Sequence, residues 1–329
     1  MNALRVVFLG SDPIALPLLE WLGAAGKATA EVGGVFTQPD RPTGRGQQVT
    51  ANAIKQWALA RGLPVLQPVK ITEDVRQQLQ DWHADVALVM AYGHILKDDF
   101  IGTPRLGTLN LHTSRLPRYR GASPIQTAVA TGETATAVTL MRIVRELDAG
   151  PVADAEAVAI DPLDTALDVE QKLAAACVPL LARALPKLAV GGLEFAEQNQ
   201  TDATYCRKLR KEDGTLDFNA SAASLAARIN GLFPWPACAV SIDGVVIKLG
   251  QAEAVGTPAD ATPGTVCGMD AQGLLVATGA GMLRLRRLQR PGGRMLPAGE
   301  FLRGFPLPSG TVLPSQPMTS LMAAQPFRR

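Results

Sequence analysis

The chain has 329 residues, 47% of them apolar, which is length enough for two domains of ordinary size and a sizeable core. Its 32 basic and 30 acidic residues leave a net charge of +2, which by itself argues for no partner, and its four cysteines (Cys177, Cys206, Cys238, Cys267) lack both CxxC spacing and the density of a disulfide framework. The opening MNALRVVFLG lacks the longer apolar core of a secretory signal, and no segment approaches the ~20 apolar residues of a membrane span, so a soluble cytoplasmic protein is expected.

In chain order, LRVVFL (4–9) ends at Gly10 and reads as a buried parallel strand. Pro13 to Ala24 reads as a helix and Glu31 to Thr37 as a second strand, followed by the Gly- and Pro-rich loop QPDRPTGRGQQ. Ala53 to Arg61 is expected to be helical, and Pro64 to Leu66 a short strand. DVALVMA (85–91) is the most hydrophobic strand candidate, followed by a strand at Leu106 to Leu111, a helix at Pro124 to Ala130 and a strand at Val138 to Ile143. Strands alternating with helices imply a doubly wound parallel sheet, an α/β domain over residues 1–189 that includes a helix at Leu167 to Leu188. A linker is expected over 190–207. Beyond it, short alternating runs at Ala239 to Ile242, Val245 to Leu249 and Leu274 to Thr278 are punctuated by Asp243-Gly244, Pro263-Gly264 and Gly279, which predicts a small β-barrel or sandwich over 208–318. The Pro-rich chain from Phe305 is expected to lack regular structure past Leu313, with 319–329 as a tail. From Tyr205 onward 14 Lys and Arg face 8 Asp and Glu, so a basic last part, with Arg284, Arg286, Arg287, Arg290 and Arg294 clustered in it, follows an acidic first part. That asymmetry fits a polyanion bound by the second domain, or a solvated face.

The first strand-to-helix turn, Gly10-Ser11-Asp12-Pro13, has neither the G-x-G-x-x-G of a dinucleotide site nor a Walker phosphate loop. The densest chemistry lies in NLHTSRLPRYRG (110–121), at the carboxyl end of a predicted strand, where open α/β sheets bind ligands. Residues two apart on a strand share a face, so Asn110 and His112 can address one pocket. An amide N–H can stabilise a developing oxyanion, and imidazole can carry a proton near neutral pH. Taken alone, the pair also suits a capping Asn and a core His. Asp148, in LDAG just after the strand at Val138 to Ile143, adds a carboxylate that can orient and polarise that His. His83 reads as solvated and His94 as structural.

The segments VFTQPDRPTGRG (35–46), AYGHIL (91–96), PRLGTLNLHTSRLPRYRGASPIQ (104–126), VTLMRIVRELDAGPV (138–152), YCRKLRKEDGTLDF (205–218) and FPWP (233–236) together resemble the methionyl-tRNA formyltransferases, in order through both domains. The Asn-x-His, the S-x-L-P loop and the Asp are shared with other folate-dependent formyltransferases, such as those acting on amino sugars. The QPDRPTGRG loop, KEDG and PWP point more narrowly to the tRNA enzymes. The resemblance implies a catalytic trio of Asn110, His112 and Asp148 and a tetrahydrofolate-binding loop at Ser114, Arg115, Leu116 and Pro117. It also implies an OB-like C-terminal barrel and a loop at residues 38–48 that meets the tRNA acceptor stem, with Arg41 and Arg45 as tRNA contacts. With it, Arg284, Arg286 and Arg287 read as a phosphate-contacting face. The chain departs from the family pattern at Ser11-Asp12, at Arg115 in a usual Leu position, at Gln47-Gln48 in place of two lysines and at Tyr119 in place of Trp. None of these removes a catalytic group, and the Gln pair lowers the positive charge facing tRNA.

The implied reaction moves a formyl group from 10-formyltetrahydrofolate to the amine of initiator methionyl-tRNA, with no metal, no covalent enzyme intermediate and no obligate protein partner. A formyltransferase acting on a small amine, such as an amino-sugar nucleotide, is the first alternative. A non-catalytic RNA-binding protein is the second.

Overall fold

The computed structural model describes residues 3–43, 48–256 and 260–327, and in it the first apolar run is the strand Leu4–Gly10. The chain divides into two units: residues up to Arg120 with Ala137–Val158 and Gln171–Ala203, and Gly121–Thr136 with Ala159–Glu170 and the chain from Thr204 onward.

The first unit is built on a seven-stranded sheet. Its spatial order is Val152–Ala159, Ala135–Arg142, Thr108–His112, Val86–Met90, Leu4–Gly10, Ala30–Phe36, Val65–Leu66. Leu4–Gly10 pairs in parallel with Ala30–Phe36 on one side and Val86–Met90 on the other, and the sheet continues in parallel to Val65–Leu66 and to Thr108–His112. Val86–Met90 is buried along its whole length, as expected of a strand covered on both faces. Ala135–Arg142, however, runs antiparallel to Thr108–His112, which makes the sheet mixed. Strand order reverses at Leu4–Gly10, so the crevice beyond Gly10 and Met90 is where such sheets take ligands. Gly10 lies there against the Met90 carbonyl and the Phe8 ring, space that a Cβ would invade. The rings of Phe36, Trp82 and Phe100 pack with centroids 5.1 and 5.9 Å apart beneath the sheet. Asn52 caps the helix Ala53–Leu59, its Oδ1 accepting from the Lys55 N–H at 3.0 Å. No helix among the described residues is long and apolar enough to cross a membrane.

The second unit carries an antiparallel sheet in the order Cys238–Ile242, Val245–Val255, Met282–Gln289, Leu274–Ala277, Val266–Met269, with Leu296–Pro297 beside Met282–Gln289. This is the β domain expected of the last third. Its core of Leu225, Ile229, Ile247, Leu249, Leu283, Leu285 and Phe301 closes under the helix Ala222–Leu232. Buried Asn230 of that helix pairs with the Ala252 backbone, accepting from its N–H at 2.8 Å and donating to its carbonyl at 2.9 Å, which supports the strand where its register shifts near Gln251. The helix Pro124–Ala130 joins this unit because Gly231 lets Ala130 approach closer than any Cβ would permit. The end of the chain is more ordered than its composition suggested: Met322–Ala323 pairs antiparallel with Tyr205–Cys206, and Leu321 is buried.

Candidate functional site

Asn110 and His112 share one side of Thr108–His112 near its carboxyl end. His112 is almost fully buried, and its Nε2 lies 3.0 Å from the Tyr119 carbonyl. A carbonyl only accepts, so Nε2 carries a proton and Nδ1 is the variable nitrogen. Nδ1 is 3.8 Å from Asp148 Oδ2. That is within ion-pair range and too long for a hydrogen bond. The ring is therefore aimed by a backbone carbonyl of the following loop, while Asp148 supplies negative charge without occupying Nδ1. The half-buried Asn110 amide makes no hydrogen bond to a described residue, which leaves its N–H groups available.

Asp148 reaches this position by a different route from the one its sequence suggested. Because Ala135–Arg142 runs against Thr108–His112, its carboxyl end lies beside Leu109, not beside His112. The loop that follows brings Asp148 back. It closes through the Arg142 N–H on the Pro151 carbonyl at 2.9 Å, and a Cβ on Gly150 would overlap the Arg142 carbonyl oxygen. This accounts for the glycine two residues after Asp148. Asp148 itself has a φ of +48°, an uncommon backbone state for a residue with a side chain.

The Ser114–Pro117 loop is built around Ser114 and Thr139. Buried Ser114 donates from Oγ to the Arg118 carbonyl at 2.6 Å, and its own carbonyl accepts from Thr139 Oγ1 at 2.6 Å. Ser114 thus shapes the loop. Arg115 is exposed, and Leu116 and Pro117 are half-buried, so these three form the accessible side of the loop. Thr139 carried no signal in the sequence beyond being a strand residue. His94, read as structural, has Nε2 3.2 Å from the Pro68 carbonyl and packs its ring on Tyr92.

The loop at 38–48 begins from a fixed base. Gln38 donates from Nε2 to the Tyr92 carbonyl at 3.1 Å, and its own carbonyl accepts from Gln67 and Asn52 at 2.8 and 3.2 Å. Asp40 is paired with Lys55, whose hydrogen bond holds the carboxyl below its usual range. Beyond it Arg41–Thr43 pairs with Gln48–Thr50 as a small antiparallel ribbon, with Arg41 exposed. Arg45 and Gln47 lie outside the described residues. In the second unit the three arginines differ. Arg284 is held by Asp270 and Glu253, and Arg286 by Glu253 at 2.6 Å. Arg287 is exposed and has no carboxylate partner among the described residues.

KEDG has a structural explanation. Asp213 is buried and accepts from Arg207 Nη1 and Nη2 at 2.8 and 2.6 Å, from the Arg210 N–H at 2.7 Å and from Thr319 Oγ1 at 2.8 Å. Burial alone would raise its carboxyl; these bonds outweigh it and hold the group at about 2. Gly214 sits where a Cβ would strike the Ala237 carbonyl. In PWP, Trp235 is exposed.

Comparison with known proteins agrees with this architecture. Residues 4–185 match the formyl transferase domain model, and residues 208–306 match the formyl transferase C-terminal domain model. The chain is 41% identical over 308 residues to the methionyl-tRNA formyltransferase of Aromatoleum aromaticum, covering 93% of this chain and 96% of that one. It is 40% identical over 326 residues to the corresponding enzyme of Acidovorax ebreus, covering 95% and 100%. Among solved structures, an N-formyltransferase from Helicobacter canadensis in complex with folinic acid and dTDP-3-aminofucose superposes with a TM-score of 0.63 at 16% identity, covering 87% of this chain and 99% of that one, a likeness of fold. With both domain models matched in order and about two-fifths identity over nearly the full length of these relatives, the chain belongs to the methionyl-tRNA formyltransferase family.

Proposed function

We propose that this formyltransferase takes its formyl group from 10-formyltetrahydrofolate and delivers it to the amino group of initiator methionyl-tRNA in the cytoplasm, with Asn110, His112 and Asp148 as the reacting side chains. The observation that carries the site reading is the convergence of an unengaged Asn110 amide, the Nδ1 edge of His112 and the Asp148 carboxylate at the end of one strand. The formyl carbon supplies the electrophile. As the amine adds to it, negative charge develops on the formyl oxygen, and the Asn110 N–H donates to that oxygen. His112 donates there from Nδ1 when it carries its second proton. The 3.8 Å gap to Asp148 leaves that Nδ1–H directed at substrate. Asp148 takes the proton lost by the amine and returns it to the leaving folate nitrogen as the carbon–nitrogen bond to the carrier breaks. Arg115, Leu116 and Pro117 line the carrier's approach, with Ser114 holding their loop. A folate carrier suits the relatives: the Helicobacter canadensis enzyme was crystallised with folinic acid.

The acceptor is read from the 38–48 loop, the second unit and the two curated relatives. Steady-state formylation with 10-formyltetrahydrofolate tests it: charged initiator tRNA should be far the better acceptor, and a dTDP-amino sugar should be inert. Efficient transfer to the sugar with none to tRNA would replace this reading with the small-amine one.

Two predictions concern the tRNA surface. Arg45→Ala should raise KM for tRNA and leave KM for the folate donor unchanged, because hydrogen bonds through Gln38 fix the start of the loop independently of Arg45, so the change should leave the pocket undisturbed. Equal changes in both constants would place the loop elsewhere in the reaction. We assign the phosphate contact on the second unit to Arg287 more than to Arg284 and Arg286, whose charges are already compensated by carboxylates. Arg287→Ala should flatten the salt dependence of tRNA binding by about 0.7–0.9 log units per tenfold change in salt, the value for one phosphate contact. Arg284→Ala should leave that slope in place; the reverse pattern would show that the carboxylates release Arg284 to tRNA.

A further inference from the structure

The polar stretch after the helix Ala166–Ala189, which reads in sequence as linker, is laced to the loop that carries Asp148. Ala196 and Val152 exchange both backbone hydrogen bonds, at 2.9 and 2.8 Å. Two residues on, Gln198 is 8% exposed, and its Nε2 donates to the carbonyl oxygens of Asp148 at 2.9 Å and Gly150 at 2.7 Å. Its Oε1 accepts from Nε and Nη2 of Arg120 at 3.2 and 2.6 Å. Arg120 is 1% exposed and also donates from Nη1 to Gln200 Oε1 at 2.9 Å. The amide of Gln198 has a single workable orientation, since a flip would aim its NH2 at a guanidinium and its oxygen at two carbonyls.

These contacts reach both halves of the reacting pair. Arg120 directly follows Tyr119, whose carbonyl aims His112, and through Gln198 it anchors the backbone of Asp148. That backbone is in the left-handed region, a conformation that persists where the surroundings over-determine it. We propose that Gln198 is a positioning residue for formyl transfer: its amide fixes the Asp148 loop, and Arg120 fixes the amide. The inference rests on the reading of Asp148 as a reacting group. A displacement of about 1 Å at a reacting group can cost ~100-fold in rate. The Gln198 side chain is engaged by Arg120 and by the Asp148 and Gly150 carbonyls, so its loss should fall on kcat and not on substrate binding.

Gln198→Glu isolates the role. It keeps an oxygen that accepts from Arg120 and replaces the donating NH2 with an oxygen that faces two carbonyls. With the fold verified by circular dichroism, kcat should fall ~10- to 100-fold while KM for tRNA and for the folate donor each stay within about threefold. Placed on Asp148→Asn, the same change should add less than about threefold, because the group it positions no longer acts. Gln198→Met, which keeps the length and removes both polar functions, should lose kcat in the same way and serves if the Glu variant does not fold. The inference is overturned if Asp148→Asn is impaired while both Gln198 variants turn over normally, if the loss appears in KM, or if the losses multiply in the double variant. If Asp148→Asn itself turns over normally, the reading of Asp148 fails, and this inference fails with it.

Discussion

Replacing Asp148 by Asn should lower turnover by at least ~100-fold, the usual order for losing a proton-transfer or charge-stabilising group, and His112→Ala should do the same. The Asn change is the cleaner of the two. The Asp148 loop is held through backbone atoms, by Gln198 on the Asp148 and Gly150 carbonyls and by the Arg142–Pro151 bond, so geometry should survive the loss of charge. His112→Ala also removes the ring nitrogen that donates to the Tyr119 carbonyl at 3.0 Å and leaves space in a buried site, so that variant needs a stability measurement beside its kinetics. Rates near that of the parent in both folded variants would remove the pair from the mechanism.

Asp213→Ala should destabilise the protein by about 3–5 kcal/mol at pH 7, the range for removing one partner of a buried ion pair. The substitution leaves Arg207 without its carboxylate and the Arg210 N–H and Thr319 hydroxyl without their acceptor. It also removes one tie to the end of the chain, the bond from Thr319 Oγ1, while the Thr319 carbonyl keeps its bond from Arg228 at 3.1 Å. The pH dependence has a defined sign. The folded-state carboxyl, at about 2, lies below its unfolded value near 4, so its contribution is present in full above pH ~4 and is lost as pH falls toward 2. Urea unfolding of parent and variant at pH 7 and at pH 3 reads both statements. The gap between them should narrow at the lower pH. A gap below about 1 kcal/mol, or one independent of pH, would show that the bonds around Asp213 are not what holds this corner.

Much of this architecture was legible in the sequence for identifiable reasons. Strands such as Val86–Met90 are buried on both faces and so read as unbroken apolar runs, and turn residues such as Asp243-Gly244 marked the β domain. Asn110 and His112 were legible because a strand end with a two-residue repeat aims both side chains one way. The direction of Ala135–Arg142 was not legible, because strand composition carries no sign of orientation, and Asp148 consequently reaches His112 by a return loop that Gly150 makes possible. Tyr119 was noted as a family departure, yet it aims His112 through its carbonyl, which no side-chain pattern encodes. Gln198 sits in a polar run that looks like any linker, and only its burial and its four hydrogen bonds set it apart. KEDG was legible as a motif without a role. Its Asp holds the fold of the second unit through long-range contacts that local sequence does not reveal.

The central claim is that the group of Asn110, His112 and Asp148 moves a formyl unit onto methionine carried by tRNA. Following the label tests it most directly. The protein is mixed with 10-formyltetrahydrofolate labelled in the formyl carbon, with charged initiator methionyl-tRNA and with a dTDP-amino sugar in the same vessel, and the ester is then cleaved from the tRNA. The account predicts that the label is recovered in N-formylmethionine, and that Asp148→Asn suppresses its transfer by at least ~100-fold at unchanged fold. Label recovered on the sugar, or undiminished transfer to methionine by the Asp148→Asn protein, would contradict it.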